Sequence, residues 1–167
     1  MEVAKKVCQE MLDQRLWKIE AVDDMTISGQ TDKLDSFEIF FMEAAKLNIA
    51  NVKDCIKILE EHDTKHCIII YNNNITSSAK RVINNFVDTV FELFTINELQ
   101  FNITKHYLVP PHTILKDEEA DEFVKKYGTN IPILHKTDPV CRFYNFQRAS
   151  IIKVDRKDKS VSYRIVK

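Results

Sequence analysis

Five consecutive apolar residues, Cys67-Ile68-Ile69-Ile70-Tyr71, constrain this chain more than any other feature. The run is too short for a helix and lacks the alternation of a half-exposed strand, so it reads as a strand buried on both faces. Such a strand needs cover above and below, and the flanking sequence supplies it. Across residues 2–15, Val3, Val7, Cys8, Met11 and Leu12 recur at helical spacing, and Val52, Cys55, Ile56 and Leu59 mark a second helix. Asn72-Asn73-Asn74 forms a turn, after which Thr76 or Ser77 caps a third helix with the stripe Ala79, Val82, Ile83, Phe86, Val87 and Val90. Phe37-Glu38-Ile39-Phe40-Phe41-Met42 predicts another strand, and residues 91–94 a further one. The polar residues 23–35, with Thr26, Ser28, Gly29, Gln30 and Thr31, predict a turn or loop. The expected N-terminal half is therefore α/β, with helices packed on a small sheet.

The pattern changes near residue 96. Val109-Pro110-Pro111-His112 cannot be helix interior, because two prolines remove donors and hold Val109 extended. Asp117-Glu118-Glu119 opens a helix where the macrodipole favours negative charge, Lys125 and Lys126 close it, and Gly128 caps it. A second, short helix begins at Asp138-Pro139. Residues 150–154 and the alternating Val161, Tyr163 and Ile165 predict a terminal β-hairpin around a charged loop at 155–159. Two domains are expected: an α/β domain at 1–95 and an α+β domain at 96–167.

Composition removes several function classes. With 167 residues, 44% apolar and 29% charged, the chain suits one large domain or two small ones and is not disordered. No stretch nears the ~18 uncharged apolar residues of a membrane span. Lys5, Lys6, Glu10 and Asp13 also interrupt any secretory leader, so no membrane partner is expected. Gly29 and Gly128 are the two glycines, too few to build a phosphate-cradling loop. Cys8, Cys55, Cys67 and Cys141 contain no CxxC pair, which argues against zinc-ribbon and thioredoxin-like sites and predicts buried, reduced thiols. The net charge of -1 is unevenly spread. Residues 1–95 carry 11 basic and 16 acidic side chains, residues 96–167 carry 13 and 9, and residues 141–167 carry 8 and 2. A basic end suits an acidic partner or nucleic acid, and a solvated charged face gives the same pattern.

Catalytic readings find little support. His62 and His66 stand four apart beside Cys67, yet His66 abuts the strand run and no second ligand pair follows. Surface histidines at a helix end are the expected reading. No strand–turn–helix nucleophile elbow is present. A metal-dependent nuclease needs clustered carboxylates and usually a strand lysine, whereas the central run has neither and Glu38 stands alone. No catalytic residue, metal site or cofactor is expected.

The segment Asn102-Ile103-Thr104-Lys105-His106-Tyr107-Leu108-Val109-Pro110-Pro111-His112 resembles the Asn-Ile-Thr-x-His-x-Leu-Val-Pro-x-His segment of one polymerase family. That family is the shared fifth subunit of nuclear RNA polymerases I, II and III, together with its archaeal counterpart. The likeness resumes at Asp138-Pro139-Val140-Cys141-Arg142-Phe143-Tyr144 and runs through Arg148, Ile151-Ile152-Lys153 and Ser162-Tyr163-Arg164-Ile165-Val166. Ile39-Phe40-Phe41 and Ile75-Thr76-Ser77-Ser78-Ala79-Lys80 resemble the N-terminal half of the eukaryotic form, which the archaeal counterpart lacks. The resemblance therefore points to a eukaryotic-type or large-virus polymerase. Three positions depart from the family pattern: Ser77 stands for Pro, and Asn145 and Ala149 stand for Gly. Asn can adopt a positive φ, whereas Ala there costs energy.

The resemblance implies a non-catalytic structural subunit of a DNA-directed RNA polymerase, acting in the nucleus, or in a viral factory or virion if virus-encoded. It implies a jaw at 1–95 near downstream DNA and an assembly domain at 96–167 that docks on the largest subunit, among other polymerase subunits. An acidic jaw permits only a small DNA contact. That contact is expected at Thr76, Ser77, Ser78, Lys80 and Arg81, where a helix start and two cations meet one or two phosphates; the alternative is that Thr76 only caps its helix and the cations are solvated. His106, Pro110, His112, Arg142, Arg148, Tyr163 and Arg164 are expected at the assembly interface. The alternative puts His106 and Tyr163 in the core, with Arg142 and Arg148 capping local carbonyls. A free-standing transcription adaptor and a divergent metal-dependent nuclease are the alternative functions.

Overall fold

The computed structural model describes residues 1–167 and divides into two compact units, Met1–Phe101 and Asn102–Lys167. In the first unit the elements run α1 (Glu2–Gln14), β1 (Lys18–Val22), β2 (Thr26–Gln30), β3 (Ser36–Met42), β4 (Lys46–Leu47), α2 (Ile49–Glu61), β5 (His66–Tyr71), β6 (Asn74–Ile75), α3 (Ser77–Asn85) and β7 (Val90–Thr95). A 3-10 turn, Ile96–Leu99, follows. The principal sheet has the order β1-β2-β3-β5-β7, antiparallel from β1 to β3 and parallel from β3 to β7. The apolar run lies on β5, where Cys67, Ile68, Ile69 and Ile70 are each 0% exposed. Burial of each isoleucine contributes about 1.5–3 kcal/mol.

Strand alternation divides that burial between two faces. Phe40, Cys67 and Ile69 pack with Val52, Cys55 and Leu59 of α2 and with Ala79 and Ile83 of α3. α1 lies against the opposite face, where its Arg15 reaches Glu92 of β7 and Lys5 sits over the Phe41 ring. Each helix start has a local cause. The Asn48 side chain accepts from the Asn51 N–H at α2, and the Thr76 hydroxyl accepts from the Ala79 N–H at α3.

Three expectations need correction. Residues 23–35 are not all loop: Thr26–Gln30 is β2, paired with β1 and β3, and β1 itself carries no clear sequence signal. The Gly and Ser that suggest a turn serve a β-bulge between Ile19 and Ala21, where a Cβ on Gly29 would lie 2.0 Å from the Lys18 carbonyl oxygen. The third helical stripe is also too long. α3 ends at Asn85, Val87 is 89% exposed, and Val90 begins β7. Finally, Ile96–Leu99 belongs to the first unit, because Leu99 is buried there.

The second unit begins with a 3-10 turn, Ile103–Lys105, and continues through β8 (His112–Ile114), α4 (Asp117–Tyr127), β9 (Ile133–Leu134), α5 (Pro139–Tyr144), β10 (Ile151–Asp155) and β11 (Val161–Val166). Its sheet has the order β8-β10-β11-β9. β10 pairs antiparallel with both β8 and β11, and β9 joins β11 in parallel. One face buries Leu134, Cys141, Phe146, Ile152, Val154 and Val166 as a cluster. The other meets α4, where the Phe123 and Tyr163 rings pack with centroids 4.4 Å apart and their planes tilted. At α5, Asp138 accepts from the Val140 N–H at 2.8 Å and Pro139 occupies the first helical position. Gly128 ends α4 at φ 74. All four cysteines are free and buried, and burial pushes the Cys8 and Cys55 thiols up to about 12.

Candidate functional site

In the first unit the residues expected near DNA share one place. β5 delivers the chain to the carboxyl end of the parallel strands, and α3 starts there. That is the edge at which open α/β sheets present their loops to ligands. Thr76 is half-buried and held on both sides: its N–H donates to the Leu47 carbonyl at 3.0 Å and its hydroxyl lies 3.1 Å from that of Ser78. Ser77, Ser78, Lys80 and Arg81 lie on the first turns of α3, and all four are exposed. The capping role of Thr76 and an outward-facing cationic turn therefore coexist.

In the second unit the seven expected interface residues separate into groups. Pro110, His112 and Arg164 line one cleft of about 500 Å³. His112 Nδ1 donates to the Pro110 carbonyl at 2.7 Å, which fixes the turn and the ring tautomer together. Arg164 donates to the Ile133 carbonyl at 3.3 Å. Tyr163, one residue away, projects from the opposite sheet face onto α4. Arg142 is half-buried in the last turn of α5, and Arg148 is exposed beyond it. His106 is exposed and packs against Tyr107, with ring centroids 4.9 Å apart and the planes tilted.

Sequence reasoning misses the rest of the cleft. Tyr107 and Leu108, each 68% exposed, form one wall. Arg156 and Lys157 of the β10–β11 turn form another, with Lys157 Nζ 5.2 Å from the Tyr107 ring centroid. Leu134 and Val154 supply an apolar floor. The hydroxyl of Ser162, which faces the same way as Val154, is buried without a hydrogen-bond partner. The sequence does offer a signal, since Arg156 and Lys157 lie in the charged loop at 155–159.

The histidines flanking the central strand do not meet. His62, at the end of α2, pairs through Nδ1 with the Glu38 carboxylate, and that hydrogen bond and charge raise its pKa. His66 lies on the other face, edge-on to Trp17 at 5.4 Å, and burial lowers its pKa. Beside it, Arg15 and Glu92 form a bidentate pair with two contacts of 2.8 Å, their side chains 1% and 13% exposed. Glu38, the carboxylate that a nuclease reading would need, is thus taken up by His62.

Comparison with known proteins bears on the same segments. The profile described as RNA polymerase Rpb5, C-terminal domain, matches residues 101–166, which include every cleft residue. The Caenorhabditis elegans protein "DNA-directed RNA polymerases I, II, and III subunit RPABC1" is 30% identical over 182 residues, covering 96% of this chain and 86% of its own length. A Dictyostelium discoideum protein of the same name is 31% identical over 80% of this chain and 73% of its own. A protein of Invertebrate iridescent virus 6, 454R, whose name assigns it provisionally to a DNA-directed RNA polymerase, is 32% identical over 97% of each chain.

Proposed function

The chain belongs to the family of RNA polymerase Rpb5 subunits, and from that premise we propose that residues 102–167 dock on the largest subunit of the enzyme while residues 1–101 stand near downstream DNA. It is a structural, non-catalytic subunit of a DNA-directed RNA polymerase. Phosphodiester chemistry and its metal ions belong to other subunits. The supporting observation is that the profile match coincides with the basic unit and its cleft. Residues 102–167 hold 13 basic and 8 acidic side chains, against 11 and 17 in residues 1–101.

In this reading Pro110, His112 and Arg164 contact the largest subunit directly, and His106 shapes the Tyr107 wall. Arg142 and Arg148 extend the interface around α5, and Tyr163 holds α4 to the sheet from behind. The α3 start offers its first N–H groups, the Ser77 and Ser78 hydroxyls, Lys80 and Arg81 to one or two phosphates. The protein works in the nucleus, as the names of its cellular relatives imply, or in a viral factory or virion if a virus encodes it.

Affinity purification of the tagged full chain tests the first half: the largest polymerase subunit co-purifies in equal amount, and its absence favours a free-standing adaptor. Photo-crosslinking from downstream DNA in that complex tests the second. K80E/R81E is expected to lower crosslinks to this chain without lowering its incorporation, and unchanged crosslinking removes the DNA assignment.

A further inference from the structure

We propose that the cleft beside β8 receives an extended acidic peptide carrying an apolar side chain, contributed by a neighbouring polymerase subunit; this rests on the docking reading above. Charge complementarity carries the argument. Arg156, Lys157 and Arg164 supply three cations to the cleft, and its one carboxylate, Asp138, is committed to the Val140 and Cys141 N–H groups of α5. Arg164 spends one N–H on the Ile133 carbonyl, and a guanidinium has five to offer. Asp155 and Asp158 flank the turn but are engaged by Lys153 and Ser160, so carboxylates of an incoming chain meet cations that no free carboxylate of the cleft lining neutralises.

The apolar half of the site selects a peptide over nucleic acid. Leu108, Pro110, Leu134 and Val154 form a surface with no use for phosphate, and Lys157 already covers one face of the Tyr107 ring. A volume of about 500 Å³ suits a few side chains rather than a duplex.

The backbone favours an extended occupant. β8 is an outer strand, and it bonds to β10 through residues 111 and 115, with the Asp155 N–H on the Pro111 carbonyl and the Leu115 N–H on that of Ile151. Strand alternation turns the N–H and C=O groups of His112 and Ile114 toward the open edge, and Ile114 is 47% exposed. A partner strand can add there while its side chains enter the cleft.

The test places p-benzoylphenylalanine at position 108 of the full tagged chain, irradiates the assembled polymerase and identifies the trapped segment by mass spectrometry. The expected product is a peptide of another polymerase subunit in which Asp and Glu outnumber Lys and Arg. R156E/K157E should cut its yield by about tenfold, as loss of close charge pairs does. Both side chains lie on the exposed β10–β11 turn, and circular dichroism checks that the fold is kept. A neutral or basic peptide, trapped nucleic acid, or an undiminished yield in R156E/K157E overturns the cleft assignment alone. A tagged chain that recovers no polymerase overturns the docking reading itself.

Discussion

Asn145 and Ala149 stand where the family pattern has glycine, and both adopt left-handed backbone, with φ of 53 and 68. The two residues carry different costs. Asn tolerates this region, whereas the Cβ of Ala meets the carbonyl oxygen that follows it. The Ala149 N–H still donates to the Val166 carbonyl at 2.9 Å, so tertiary structure holds the strained turn in place. Ala149→Gly is expected to raise stability by about 1 kcal/mol, whereas Asn145→Gly should lower it by about 0.5–1 kcal/mol, because Lys136 Nζ and Gln147 Nε2 lose the Asn145 Oδ1 acceptor. Chemical denaturation followed by circular dichroism distinguishes the two, and equal effects would show that the strain lies elsewhere. Ser77, the third departure, sits at the first helical position of α3, where Thr76 alone makes the cap and a rigid φ is dispensable.

Helix α1 is fastened to its sheet face by a layer of paired charges and aromatic rings. Arg15 stacks over Trp17 at 5.0 Å while bonding Glu92, and Trp17 in turn touches Phe37 at 5.1 Å and His66. Arg15→Ala strands the Glu92 carboxylate and should cost about 3–5 kcal/mol, read from the fluorescence of the single tryptophan during unfolding. The histidines give this unit a stability maximum. His66 has a lowered pKa from burial, so its contribution is complete above the unfolded value near ~6.5 and is lost as pH falls below it. His62 has a raised pKa from Glu38, so its contribution is complete below that value and is lost as pH rises through the folded one. The ring of His62 is 61% exposed, so its limb is the shallower. His66→Gln should flatten the acid side of a Trp17-monitored stability profile, and His62→Gln the alkaline side.

At this scale the sequence is partly legible. The central run, the α2 stripe, the Thr76 cap and the Asp138-Pro139 start each carry their cause within a few residues, and each appears as expected. β1 and β2 do not, because their pairing depends on a bulge set by the close approach of Gly29 to Lys18, a contact between distant positions. The end of α3 is hidden for a related reason. Val87 and Val90 continue the helical period by coincidence, and the turn into β7 is fixed by the Val90 N–H on the Lys65 carbonyl. The cleft is half visible: Pro110, His112 and Arg164 come from the resemblance, whereas Tyr107 and Lys157 meet through a side-chain contact that no spacing encodes.

For the molecule as a whole, charge is sorted by unit. The segment proposed to approach DNA is the acidic one, so repulsion from the duplex limits its contact to the α3 start. Polymerase carrying this subunit should therefore bind downstream DNA with a log–log salt slope only about 1–2 units steeper than polymerase carrying K80Q/R81Q, measured by fluorescence anisotropy. A larger difference would require phosphate contacts that the acidic unit is not equipped to make.

The four sequestered thiols have a practical consequence. Burial keeps each protonated and out of reach, so a maleimide dye finds no ready target on the native subunit. Arg81→Cys would then be the one fast-labelling position, turning the α3 start into a fixed ruler point for energy transfer to a fluorophore on the template.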